Sequence, residues 1–202
     1  KEPNMTDAMR TILEMDRHPV IAPVLSRLNA WEHWHHAFCA LLELPLEHLY
    51  DSWTHGVGHT ERVILLGAVC AMDQGFDDRE ARYTALACTW HDVGRRDDGI
   101  DIHHSRRSAD RLPEMADYPA EDLALLRAAI RAHSGPDGDE ACLAIYAPRD
   151  EARCRRVMKA LQDADRLDRV RLGDLDPGYL NFDASRRRVK FADALYEAYE
   201  DW

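Results

Sequence analysis

The chain has 202 residues, a formal net charge of -11, and 46% hydrophobic and 31% charged residues. This length accommodates one domain with a core of its own, and the composition is that of an ordinary globular protein that folds by itself. The acid excess argues against a nucleic-acid-binding face. No apolar run reaches the roughly 18 residues a membrane span needs.

The opening Lys1-Glu2-Pro3-Asn4 lacks the charged-then-apolar order of a secretion signal, so a cytoplasmic location with no membrane partner is expected. The five cysteines, Cys39, Cys70, Cys88, Cys142 and Cys154, contain no Cys-x-x-Cys pair and read as reduced structural thiols. Positive charge is almost all Arg, with Arg95-Arg96 and Arg106-Arg107 beside histidines. The planar guanidinium fork suits phosphate, so a small anionic ligand is compatible with the acidic total.

Residues 1 to 53 read as short helices broken by Pro19, Pro23 and Pro45, with Thr6 or Asp7 capping Ala8 to Met15. In Trp31-Glu32-His33-Trp34-His35-His36 a helix would spread the histidines around its circumference, with only His33 and His36 sharing a face. Trp31, Trp34 and Trp53 are expected to dock this leader, residues 1–54, onto a core of residues 55–202 within one globular unit.

A strong helix is expected from His55 to Gln74, closed by Gly75. Its stripe of Val63, Leu66 and Cys70 extends back to His59, which should therefore look inward. Asp77-Asp78 cap a helix from Arg79 to His91, whose buried side carries Ala81, Ala85 and Cys88 towards His91-Asp92. Val93-Gly94 then frees the backbone to turn away. After a polar loop from Arg95 to Ile102, a short helix begins at His103-His104 and ends near Pro113.

Pro119 initiates a helix from Ala120 to His133, with Leu126, Ile130 and His133 on one stripe. Residues 134 to 149 read as a surface loop. A helix from Glu151 to Leu167 places Val157, Leu161 and Asp165 together, and a carboxylate on a buried face needs a cation or several donors. A turn around Pro177-Gly178 leads to a final helix from Ser185 to Trp202, with Arg186-Arg187-Arg188 on a solvated face. No stretch alternates with period two, so the fold class is all-α.

Four helices thus bring His59, His91 with Asp92, His133, and Asp165 to the ends of apolar stripes. One inward histidine is ordinary packing, but four such endings are best explained by a shared metal centre.

The segments Gly58-His59-Thr60-Glu61-Arg62-Val63, His91-Asp92-Val93-Gly94-Arg95 and Ala164-Asp165-Arg166-Leu167-Asp168, the first two about thirty residues apart, resemble the HD superfamily of metal-dependent phosphohydrolases. The resemblance covers about residues 55 to 170 and implies a helical bundle in which His59, His91, Asp92 and Asp165 hold a first ion. Asp163 competes with Asp165, which is preferred because a basic residue, Arg166, follows it. His104, more than His103, together with His133 resembles the added histidines of dinuclear branches, implying a second ion bridged by Asp92. The competing reading keeps one ion and gives His104 and His133 to the substrate.

Two ions about 3.5 to 4 Å apart would lower the pKa of a shared water and supply hydroxide at neutral pH. Mixed His and carboxylate donors suit Fe, Mn, Zn or Ni. Arg95 and Arg166 are the phosphate-binding candidates, with Arg106 and Arg107 weaker ones. Glu61 and Asp168 could orient ligand histidines.

The expected activity is hydrolysis of a phosphate ester or anhydride in a nucleotide or other small phosphorylated metabolite. Two alternatives remain open: an HD-fold mixed-valent di-iron oxygenase, and a non-catalytic metal-containing sensor or adaptor.

Overall fold

The computed structural model describes residues 4–201. Its helices are α1 (Asp7–Leu13), α2 (Ile21–Ala30), α3 (Trp34–Leu42), α4 (Val57–Asp73), α5 (Asp78–Trp90), α6 (His104–Met115), α7 (Ala120–Ala132), α8 (Asp139–Tyr146), α9 (Glu151–Leu167), α10 (Asp183–Arg186) and α11 (Val189–Glu200). Short 3-10 turns follow α9 at Asp168–Leu172 and Pro177–Tyr179. The fold is all-α, with no strand among the described residues.

The bundle is arranged around α4, whose residues from His59 to Ala71 are all buried. A helix shielded on every side must be surrounded by others. Here α5 and α9 flank it, α7 packs on α9, and α6 on α7. On the far side α1 and α2 lie against α4 and α11, while α3 packs on α5 and α4. All five cysteines are free and all but Cys39 are buried, with burial pushing the Cys70 thiol up to about 12.

Local chemistry fixes the ends of the central helices. Gly75 takes a left-handed φ of 60°, letting Phe76 N–H reach the Ala71 carbonyl after α4. Asp77 caps α5 in a reciprocal box with Glu80.

Several boundaries depart from the sequence reading. Pro113 does not end α6, which continues to Met115. The Ala109 carbonyl that a proline leaves without an N–H donor is taken by Arg127 Nε at 2.9 Å. The stretch 134–149 is not all loop, because α8 forms once the Gly-Pro-Gly region is passed and buries Cys142 and Leu143. Pro23 lies within the first turn of α2, where its missing N–H costs nothing.

The expected single C-terminal helix is two, α10 and α11, and its last residue, Trp202, lies outside the described residues, as do Lys1 to Pro3. The break falls where Arg188 leaves the solvent to clasp Asp73 through two bonds of 2.6 and 2.8 Å. Trp31 and Trp34 pack against the core, but Trp53 is 77% exposed and docks nothing.

Gly94 serves by its size more than by its freedom to turn. A Cβ there would come within 2.4 Å of Ser108 N and 2.5 Å of the His104 carbonyl oxygen. Absence of a side chain lets the end of α5 touch α6, sealed by Gly94 N–H donating to Ser108 Oγ at 2.8 Å. Gly94→Ala should therefore destabilise the protein by about 1–3 kcal/mol, the usual cost of overpacking. Urea unfolding of the variant checks this, and an unchanged midpoint would contradict it.

Candidate metal centre

The sequence explains why four imidazoles converge. His91 is the C-cap of α5, His104 the first residue of α6, and His133 the C-cap of α7. At these positions a carbonyl three residues earlier is free to accept a side-chain bond. His91 Nδ1 accordingly donates to Cys88 O at 2.7 Å, His133 Nδ1 to Ile130 O at 2.6 Å, and His104 Nδ1 to Asp101 O. His59 lies inside α4 and uses a carboxylate, donating from Nδ1 to Asp168 Oδ2 at 2.8 Å. Asp168 is held in turn by Arg62, at 2.7 and 3.1 Å, and the Arg62 guanidinium lies over the Tyr196 and Tyr199 rings.

With every Nδ1 committed as a donor, a neutral ring presents a lone pair on Nε2. These four atoms face one another in two pairs: His59 and His91 Nε2 are 3.1 Å apart, and so are those of His104 and His133. Two nitrogens each about 2.1 Å from one ion are separated by about 3.1 Å at an angle near 95°.

Asp92 lies between the pairs. Its Oδ2 is 3.5 Å from His59 Nε2 and 3.8 Å from His91 Nε2, whereas Oδ1 is 3.2 Å from His104 Nε2 and 3.6 Å from His133 Nε2. Asp165 Oδ1 joins the first pair at 3.4 and 4.0 Å. Asp92 Oδ1 is buried and has no hydrogen-bond donor. His59, His91 and Asp165, and likewise His91, Asp92 and His133, are grouped closely enough to hold a metal ion. The donor set fits a cation on two counts, the opposed lone pairs and the orphaned carboxylate oxygen.

The protonation pattern agrees. Burial depresses the His91 pKa to about 3 and the His104 pKa to about 4. Burial and the Arg171 guanidinium oppose protonation of His59, but its bonds to Asp168 and Asp92 prevail and its pKa is raised. Asp92 and Asp165 stay ionised because, against the cost of burial, the imidazoles facing them hold both below the carboxylate range.

Asp163 is buried and turned away, its oxygens accepting from Asn181 N, Asn181 Nδ2 and Phe182 N at 2.7 to 3.0 Å. His103 is exposed. Arg95 donates from Nε to Asp92 Oδ2 at 2.7 Å, and its Nη1 is buried without a partner. Arg166 lines a 570 Å³ cleft with His133, Asp165, Arg169 and Tyr179, and donates to the Tyr179 carbonyl at 2.8 Å.

Arg106 is exposed beside Asp110, and Arg107 is engaged by Gly94 O and Asp101. Glu61 orients no histidine; it accepts from Thr6 and Tyr199 and ties α1 to α4 and α11. Sequence reasoning passed over Arg62, although it lies three residues beyond His59 on the same helix. It also missed His55, whose ring meets that of His59 edge-on at 5.8 Å and bonds Asp98.

Two measurements follow from this geometry. In chelator-treated protein, lowering the pH below 6.5 protonates His91 and His104 in the unfolded chain before the folded one. Stability is therefore present above that value and lost towards the depressed folded values. The raised His59 works the other way but is outnumbered, so the urea midpoint should be lower at about pH 5 than at about pH 7. A higher midpoint at the acid value would contradict the assignment of neutral rings. Second, Asp168→Asn should weaken cation binding about 10- to 100-fold in competition with a chromophoric chelator, the usual effect of losing a carboxylate behind a ligand histidine. Unchanged affinity would show that His59 needs no such partner.

Comparisons with protein-family models, with curated proteins and with solved structures each find no match to this chain.

Proposed function

We propose that the protein is a metal-dependent phosphohydrolase of the HD type, with two divalent cations held by His59, His91, His104, His133, Asp92 and Asp165 and bridged by Asp92. The observation that carries this reading is the division of the Asp92 carboxylate, one oxygen towards each pair of opposed Nε2 lone pairs. Two ions supply Lewis acidity for the phosphoryl group and a nucleophilic hydroxide at neutral pH. Fe, Mn, Zn and Ni all suit the donors.

The chain's own residues bind and orient the substrate. The buried, unpartnered Nη1 of Arg95, next to the Asp92 carboxylate, is a donor waiting for an anion. It receives a phosphoryl oxygen and stabilises the charge that grows there in the transition state. The 570 Å³ cleft opens beside His133 and Asp165 and is large enough for a nucleotide or another small phosphorylated metabolite. Arg166 at its edge exchanges the Tyr179 carbonyl for a further phosphate oxygen.

Asp92→Ala should remove bound metal and phosphate release together across a panel of nucleotides and phosphorylated metabolites. Arg95→Gln should keep the metal and lose about 100-fold in kcat/KM, the scale of one preorganised donor. Full turnover by metal-free Asp92→Ala would overturn the proposal. Oxygen uptake by the iron-loaded protein, without phosphate release from any substrate, would replace it with the di-iron oxygenase. Metal binding without either turnover would replace it with a sensor.

A further inference from the structure

The histidine-rich segment at the start of α3 plays no part in the buried centre, yet its rings gather at one point. Helix α3 starts at Trp34, and His33 is its N-cap with φ -97° and ψ 4°, outside helical geometry. His35 and His36 are the second and third residues of α3, and His33 shares the face of His36, as a spacing of three expects. Neighbouring residues in a helix diverge by about 100° around the axis, yet the His35 and His36 rings approach to 4.0 Å between centroids, tilted 40°.

His36 and His33 both turn towards Asp78, the first residue of α5. His36 Nε2 lies 2.7 Å from Asp78 Oδ1, and His33 Nδ1 is 3.6 Å from the same oxygen. Asp78 is free for this because its neighbour Asp77 does the capping of α5. His35 Nδ1 faces the Glu32 carbonyl at 3.0 Å, so that nitrogen carries the hydrogen and Nε2 keeps its lone pair. A nitrogen of His35, a nitrogen of His36 and a carboxylate oxygen of Asp78 all lie within 4.8 Å of one another.

We propose that His35, His36 and Asp78 form a surface site for a borderline divalent cation such as zinc, which fastens α3 to α5. His36 binds in the tautomer that carries its hydrogen on Nδ1, which leaves the Nε2 lone pair for the cation, and with Asp78 it moves from hydrogen-bond contact to shared coordination. In a tetrahedral zinc site with ligands about 2.0–2.1 Å from the metal, two ligand atoms stand about 3.3 Å apart. The 2.7 Å contact therefore opens by only about half an ångström. The third donor comes from His35, and solvent completes the shell. His33, edge-on to Trp31 at 5.5 Å, has its Nδ1 3.6 Å from the same Asp78 oxygen and supplies no ligand. Imidazole and carboxylate together suit zinc, nickel or copper and not calcium or magnesium. The site shares no residue with the buried centre and stands whether or not that centre hydrolyses phosphate.

The test is zinc retained per chain after equilibrium dialysis of the intact protein, compared among wild type, His35→Ala and Asp78→Asn. The same His35→Ala change is also made on top of His91→Ala, so that the pair with and without His35 is compared at the same, lowered metal content of the buried centre. His35 and Asp78 lie on the surface, and neither change opens the core. Each substitution should lower zinc by one equivalent in the wild-type background, and His35→Ala should do the same in the His91→Ala background. Added zinc should raise the Tm of His91→Ala protein more than that of the double variant. Equal zinc content and equal Tm shifts with and without His35 would overturn the site.

Discussion

The central helices of this protein meet at a buried cluster of imidazoles and carboxylates. Four imidazoles turn their Nε2 atoms towards one another, 3.1 Å apart in each pair, with two carboxylates between and beside them. Apolar packing does not explain a buried cluster of imidazoles and carboxylates. A cation held among them would balance the carboxylates, and Arg95 and Arg171 bring positive charge beside the cluster from within the chain.

The fold holds the acceptors in place by fixing the other end of each ring. Three histidines use the carbonyl three residues before them, which is possible only where a helix starts or stops. The close approach of α5 and α6 at Gly94 brings two of those ends together. His59, lacking a free carbonyl inside α4, depends on Asp168, and Asp168 depends on Arg62. The cluster thus sits at the meeting point of α4, α5, α6, α7 and α9, and its geometry is inseparable from how those helices end.

Much of this was legible in the residues. Apolar stripes ending in His59, His133 and Asp165 signalled that the three faced inward, and the all-helical class followed from the missing alternation. The bounds of α9 were read as they stand, because a continuous stripe ran its length. Illegible features depended on contacts distant in sequence. Pro113 is tolerated because Arg127 takes the orphaned carbonyl. The break before α11 follows from Arg188 reaching Asp73. Asp163 is drawn away by the Asn181 turn, and nothing in its immediate sequence announces that. The shared face of His33 and His36 was legible from their spacing, and both lie beside Asp78, whereas the approach of the His35 ring to His36 was not.

The central claim is that Asp92 bridges two cations. The most direct measurement is anomalous diffraction from crystals of the protein grown with manganese, iron or zinc. The account predicts two peaks about 3.5 to 4 Å apart, one on each oxygen of Asp92, the first flanked by His59, His91 and Asp165 and the second by His104 and His133. A single peak, with His104 and His133 left without metal, would contradict it.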